Sequence, residues 1–370
     1  GRQLRNALIG VQYVASFGLI IGATFMYLQN YYMQNTPLGY DKDEIIITNM
    51  NNNIRTSRDA FASQVKSFSG IEEVTYAEML LSSQDQYMGW GRKYRDKDIQ
   101  FQCLPVEPSF LKVMNVKISE GRDFREEDKA KRYGTFVFNE RARTEYGLEI
   151  GSLIDSMEIV GFMPDVKFAS FRTEVTPMAF FVWGTNNWGN QPNYAYIKVK
   201  AGSDLRGAMQ HVKTTLQSFD PEYPFNVRFF DEVLNGLYEK ERSLSSLITL
   251  FSLIAIFISV VGVFGLVVFD SEYRKKEIGI RKVLGSTTEE IIVMFNKTYI
   301  RILCVCFVLG APIAGYVVHR WLENFAYKTP MYWWVYLIAF AIIAVITILT
   351  VTFQNWRAAK ENPVHSFMNE

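Results

Sequence analysis

The chain has 370 residues, 49% of them hydrophobic, and a formal net charge of +1. That near-neutral balance argues against a nucleic-acid partner, which would need a strongly basic face. The three cysteines, Cys103, Cys304 and Cys306, are odd in number and two lie in an apolar run, which excludes a disulfide framework. The average conceals very apolar blocks on either side of one long mixed block.

Four windows are free of acidic side chains and reach the ~20 residues a helix needs to cross a bilayer. They are residues 8–28, 244–269, 299–318 and 332–353. Arg2 and Arg5 precede the first, which favours a cytoplasmic start. Gly18 and Gly22 make a small-xxx-small step that suits close helix approach. The first residue is glycine, so either the chain begins inside a longer one or its start was processed.

Residues 37–230 read as a water-exposed block in which strands and helices interleave, hence a mixed α/β domain. Strands are expected at 44–48, 73–79, as a pair around 98–105, and at 133–139, 157–162, 180–182, 193–200 and 226–230. Helices are expected at 58–68, 108–113, 140–146 and 205–218. The loop 184–192, with Trp183 and Trp188 around it, can touch a partner, although single exposed aromatics are ordinary. The mixed charge runs 94–98 and 125–132 read as solvated surface.

DEVLNGLYEKER (231–242) reads as helix running without a break into the second span. One continuous helix from 231 to 269 would act as a lever, partly in water and partly in lipid. Gly262 and Gly265 lie in its lipid part and mark possible close packing. The stretch DSEYRKKEIGIRKVLGSTTEEIIVMF (270–295) then leaves and re-enters the membrane. Ile278, Ile280, Val283 and Leu284 give a short helix one apolar side, ringed by Arg274, Lys275, Lys276, Arg281 and Lys282. Gly285 suits a left-handed helix stop, and Ser286 with Glu289 reads as a capping box. Such a helix is a docking surface for a partner or an interfacial helix on anionic lipid. The five basic residues place this side in the cytoplasm. Gly310, Pro312 and Gly315 suggest a kink in the third span. Trp321, Tyr327, Tyr332, Trp333 and Trp334 surround the short loop after it like an interfacial belt. Arg357 and Lys360 return the end of the chain to the cytoplasmic side.

No constellation that does chemistry is evident. No glycine precedes a lysine, so a Walker A loop is missing, and neither G-x-S-x-G nor H-E-x-x-H occurs. His211, His319 and His365 stand far apart without ligand-like companions, so no metal site is expected. Cys304 and Cys306 read as small apolar packing residues.

The order of one span, a large domain and three more spans, together with RKKEIGIRKVLGS (274–286), resembles the MacB/FtsX family of bacterial ABC-transporter permeases. YDKDEIIITN (40–49), EGRDF (120–124), FNERA (138–142), IVGFMPDVKFASFR (159–172), FDEVLNGLYEKER (230–242) and FQNWRAAKENPVHSFMNE (353–370) are similar to further parts of it. The resemblance implies a membrane protein of four transmembrane helices with a mixed α/β extracytoplasmic domain between the first and second. Its parts would be residues 1–36 (span and stalk), 37–230 (periplasmic core domain), 231–269 (stalk and span), 270–297 (coupling loop), 298–353 (two spans) and 354–370 (cytoplasmic tail). It further implies that Glu277, Ile278, Gly279, Arg281, Lys282, Val283, Leu284 and Gly285 dock a separate cytosolic ATPase, which binds the ATP and Mg. The chain itself would be neither an ATPase nor a cofactor protein. Other implied partners are a second permease half or a homodimer mate, membrane lipid, and a periplasmic adaptor or substrate. The implied setting is the bacterial inner membrane with both chain ends cytoplasmic. The implied work is mechanotransmission for export or extraction of a peptide, lipoprotein or drug. A chain of this kind also fits the C-terminal half of a duplicated permease. The alternative class is a membrane sensor that controls a cell-wall hydrolase or signals an extracellular ligand.

Overall fold

The structure, a computed structural model, describes residues 2–83, 87–189, 191–273 and 285–360. It divides into two units, Thr36–Glu239 and the remainder, Gly1–Asn35 with Lys240–Glu370. The chain opens with α1 (Arg2–Asn35). At 34 residues it is ~51 Å long, more than a bilayer core requires.

The α/β unit follows. In order it comprises β1 (Ile45–Asn49), α2 (Asn52–Thr56), α3 (Arg58–Val65), β2 (Ile71–Ala77), β3 (Gly89–Tyr94), β4 (Lys97–Val106), α4 (Phe110–Val113) and β5 (Glu120–Gly121). Then come β6 (Thr135–Asn139), α5 (Glu140–Tyr146), β7 (Leu153–Ile154), β8 (Met157–Met163), β9 (Met178–Val182), β10 (Tyr194–Val199), α6 (Leu205–Phe219), β11 (Arg228–Phe229) and α7 (Phe230–Leu237). Among the described residues the strands form one mixed sheet in the order β11-β1-β10-β2-β4-β9-β6-β8-β5, with β3 added on β4 and β7 on β8. The β4–β9 and β6–β8 pairs are parallel and the others antiparallel.

Two apolar cores divide this sheet. At one end Ile46, Val74 and Ile197 pack under Phe61 of α3 and Val212 and Leu216 of α6. At the other end the core is aromatic, with Trp90, Phe101, Phe136, Phe138 and Phe181 in mutual edge or tilted contact. Each fully buried side chain of this size contributes about 1.5–3 kcal/mol against exposure. Local chemistry sets the boundaries. The Asn139 carboxamide accepts from Ala142 N at 3.1 Å to start α5, and from Met178 N at 2.9 Å to bind β9. Gly121 and Gly161 face each other across β5 and β8. A Cβ on Gly161 would lie 2.3 Å from the Arg122 carbonyl, so only glycine permits this pass of two backbones.

The other unit consists of α1 with α8 (Glu239–Tyr273), α9 (Thr288–Leu322) and α10 (Trp333–Lys360). All four are long and apolar enough to cross a membrane. Phe17 of α1, Phe307 of α9 and Phe340 of α10 form a ring cluster, with centroids 5.1–6.4 Å apart. Polar ties lie within the apolar packing. The Tyr13 and Thr347 hydroxyls bond at 3.0 Å, and Asn296 donates to Thr352 at 2.9 Å. Gln29, fully buried, donates to the Tyr327 carbonyl at 3.1 Å and accepts from Thr329 N at 2.8 Å, so α1 holds the loop between α9 and α10. The α9 helix continues past Pro312 to Leu322 without interruption.

Several expectations change here. Residues 231–242 are not one helix: α7 ends at Leu237, Tyr238 is a turn, and α8 starts at Glu239. Asn235 and Gly236, both weak helix formers, lie in the last turn before the break. The run 125–132 is not all solvated surface, because Asp128 is 1% exposed. Trp188 is not a free contact residue. Its indole N–H donates to Glu78 Oε2 at 2.6 Å, and its ring packs on Trp90 and Phe181. Trp183 lies under the Arg58 guanidinium, 4.5 Å away. Cys306 is buried as expected, but Cys304 is exposed.

Candidate functional site

The expected docking loop joins α8 to α9. Glu277, Ile278, Gly279, Arg281, Lys282, Val283 and Leu284 lie outside the described residues, as do Arg274, Lys275 and Lys276. Gly285 is described: it is exposed, at φ +92°, where only glycine is unstrained. The capping box that starts α9 is one residue later than Ser286 and Glu289. Thr287 Oγ1 accepts from Glu290 N at 3.2 Å, and Glu290 Oε2 accepts from Thr287 N at 3.0 Å. Glu289 and Glu290 also place negative charge at the positive end of α9. The loop therefore leads into a firmly started helix.

The glycines nominated for helix packing divide. A Cβ on Gly18, Gly22 or Gly265 would meet nothing within 4 Å, so these three make no close helix contact among the described residues. Gly262 faces Gln12 of α1, whose Oε1 would be 2.5 Å from a Cβ. Approach to the backbone of another long helix lies elsewhere, at Gly310, where a Cβ would sit 3.4 Å from the Val14 Cα. The missing side chain there lets α9 pack against α1. Ser252 ties α8 to α1 by donating to the Leu19 carbonyl at 2.9 Å. The outer face of α8 remains exposed, including Leu247, Leu250, Leu253 and Phe257.

In the α/β unit, Tyr238 anchors the end of α7. Its hydroxyl accepts from Phe171 N at 3.0 Å, and the two rings meet edge-on at 6.1 Å. Sequence reasoning missed this junction, although the Asn235–Gly236 pair signalled it. Phe171 belongs to the 159–172 stretch and Tyr238 to the 230–242 stretch, so two of the recognised segments meet here.

A second cluster forms around the 120–124 stretch. Asp128 accepts from Arg122 through both oxygens, at 2.8 and 2.9 Å, and from Arg125 N at 2.8 Å. Burial opposes its charge, but these donors prevail and hold the carboxyl below the usual carboxylate range. Asp123 behaves oppositely. Burial pushes its carboxyl up, against the pull of Phe124 N and Arg122.

The chain was compared with known proteins. The family model for the MacB-like periplasmic core domain matches residues 9–215, more than half of the chain. That for the FtsX-like permease C-terminal region matches residues 249–363. The macrolide export ATP-binding/permease protein MacB of Chromobacterium violaceum is 23% identical over 230 residues, 59% of this chain and 35% of that protein. MacB of Escherichia coli strain K12 is 23% identical over 233 residues, with the same two coverages. The chain thus spans 35% of the length of the curated relatives it matches. The crystallised periplasmic region of MacB from Actinobacillus actinomycetemcomitans aligns with 54% of this chain and 94% of its own, at 14% identity and a TM-score of 0.39. Two family matches in succession, one over most of α1 and the α/β unit and one over the last three long helices, carry the assignment: the chain belongs to the MacB/FtsX family.

Proposed function

We propose that this permease is driven by a separate cytosolic ABC ATPase, which binds ATP and Mg and docks on the loop between α8 and α9. Glu277, Ile278, Gly279, Arg281, Lys282, Val283, Leu284 and Gly285 are the docking residues. The observation that carries this reading is the FtsX-like match over residues 249–363, which runs through the basic loop and both flanking helices. The capped first turn supports it. A force applied to the loop enters α9 where Thr287 and Glu290 have already fixed the helix start.

The permease sits in a bacterial inner membrane with loop and chain ends in the cytoplasm, following its basic residues. A second permease half, or an identical mate, shares the exposed face of α8 with lipid. The α/β domain moves in response, and the work is export or extraction of a peptide, lipoprotein or drug. Because the helix is interrupted at Tyr238, motion does not travel along one rod. It passes through the junction that Tyr238 makes with Phe171.

The test is a permease carrying Glu277→Arg and Gly279→Trp, purified in nanodiscs with its ATPase. The expected result is an ATPase whose rate no longer responds to the permease, while amide exchange of the α/β domain stays unchanged. Full retention of that response would remove the docking assignment.

A further inference from the structure

We infer that the α/β domain holds a binding site for an oxyanion, a carboxylate or phosphate, at the β11 end of its sheet. A half-open cavity of about 200 Å³ lies there, lined by Ile47, Asn49, Leu80, Tyr194, Asn226 and Arg228. The register explains why these residues meet. Arg228 lies opposite Ile47, and Tyr194 opposite Asn49, so all four share one face of the sheet. It is the face opposite the one that buries Ile46 and Ile197 against α3 and α6.

The walls are built. Tyr196, next on the same face, accepts from Leu81 N at 2.9 Å and donates to the Met79 carbonyl at 3.1 Å, which fixes the segment carrying Leu80. Asn49 accepts from Asn226 N at 2.6 Å and donates to the Tyr223 hydroxyl at 3.3 Å, which fixes the segment carrying Asn226. The donors that line the space are uncommitted. The Arg228 guanidinium, the Tyr194 hydroxyl and the Asn226 carboxamide make no hydrogen bond or ion pair among the described residues. Arg228 is half-buried beside Ile47 and Leu80, which are 1% and 8% exposed. A half-buried guanidinium without a counter-ion is available to an anion, and its planar fork matches two oxygens of one. Tyr194 and Asn226 add neutral donors, while the two aliphatic walls accept the carbon next to the anionic group. The volume suits the charged end of a molecule rather than a whole large ligand.

This site does not depend on the ATPase docking proposed above. The test therefore uses direct binding, with no nucleotide. The full chain in phosphatidylcholine nanodiscs is titrated calorimetrically with inorganic phosphate and, separately, with dihexanoylphosphatidic acid below its micelle concentration, at constant ionic strength. At least one probe is expected to saturate a single site. Arg228→Gln should weaken that binding about tenfold or more, and Tyr194→Phe or Asn226→Ala about threefold. Tighter binding of the lipid analogue would assign the site to a headgroup, and equal binding to a free anion; both support the site. Should Arg228→Gln fail to fold, Tyr194→Phe and Asn226→Ala decide. The inference is overturned if neither probe saturates, or if saturable binding is indifferent to these side chains.

Discussion

The two carboxylates at 123 and 128 should respond to mutation in opposite directions, although they are five residues apart. Asp128 is 1% exposed and receives three hydrogen bonds, two of them from Arg122. Arg122→Ala leaves that charge buried with Arg125 N and with Lys131, whose Nζ is 3.6 Å away. Removing one partner of a buried pair costs 3–5 kcal/mol, and the two remaining contacts place the loss near the lower end, about 3 kcal/mol. Asp128→Asn removes the charge as well, so it should cost less, and the double variant should recover part of the Arg122→Ala loss. Asp123→Asn should be neutral or stabilising at pH 7, because burial disfavours its charge while Asn still accepts from Phe124 N. The pH signs differ accordingly. The folded pKa of Asp128 is depressed, so its contribution is complete above its ordinary value of about 3.9 and lost as pH falls through the folded one. Asp123 is raised, so its penalty develops as pH climbs from the ordinary value through the folded one. Urea unfolding of the full chain in detergent at pH 7 and pH 4, followed by tryptophan emission, measures both. The reasoning fails if Arg122→Ala costs under about 1 kcal/mol, or if Asp123→Asn destabilises as much as Asp128→Asn.

Other positions give sharper yes-or-no outcomes. Gln29→Leu deprives Thr329 N of its acceptor and should cost about 2 kcal/mol. Faster amide exchange across 323–332 would show it, and unchanged protection would refute the tie. Gly310→Leu forces side-chain atoms towards the Val14 backbone and should lower thermal stability by about 1–3 kcal/mol. Gly18→Leu, with open space around it, should leave the monomer's stability unchanged. Equal effects at both sites would contradict the packing described.

The legible parts were those with a strong local pattern. Four apolar windows of the right length became four long helices. The Asn139 cap and the left-handed Gly147 end α5 where propensity alone places the ends. What stayed hidden depended on tertiary partners. Asp128 sits in a run of mixed charge that reads as surface, and the paired bonds from Arg122, six residues earlier, do most to make its burial tolerable. Gly18 and Gly22 carry the packing pattern without a contact among the described residues, whereas Gly310, expected at a kink, faces the α1 backbone. Spacing shows that a small residue is present, not which helix passes it. The cap at α9 moved by one residue because Ser286 and Thr287 both suit the role, and the reciprocal pair was available only to Thr287 with Glu290.

The break at Tyr238 has the largest consequence for mechanism. Local propensity weakens the helix at Asn235–Gly236 by roughly 1–1.5 kcal/mol relative to alanine. That alone does not stop a helix, since tertiary contacts routinely outweigh it. The Phe171 N–H and ring add a hold on Tyr238 that a continuous helix would have to give up. Amide exchange distinguishes the two forms. In a continuous helix the amides of Glu239, Lys240 and Glu241 bond to carbonyls one turn back and exchange slowly. With α8 starting at Glu239, they are first-turn donors and exchange fast. Tyr238→Phe should cost about 1 kcal/mol at Phe171 N while leaving the break. Asn235→Ala with Gly236→Ala should slow exchange at 239–241 only when Tyr238→Ala is also present. If the alanine pair alone restores slow exchange, propensity made the break and the tether did not. If wild-type 239–241 are already as protected as the turns on either side, α7 and α8 form one helix, and the expectation of a rigid rod returns.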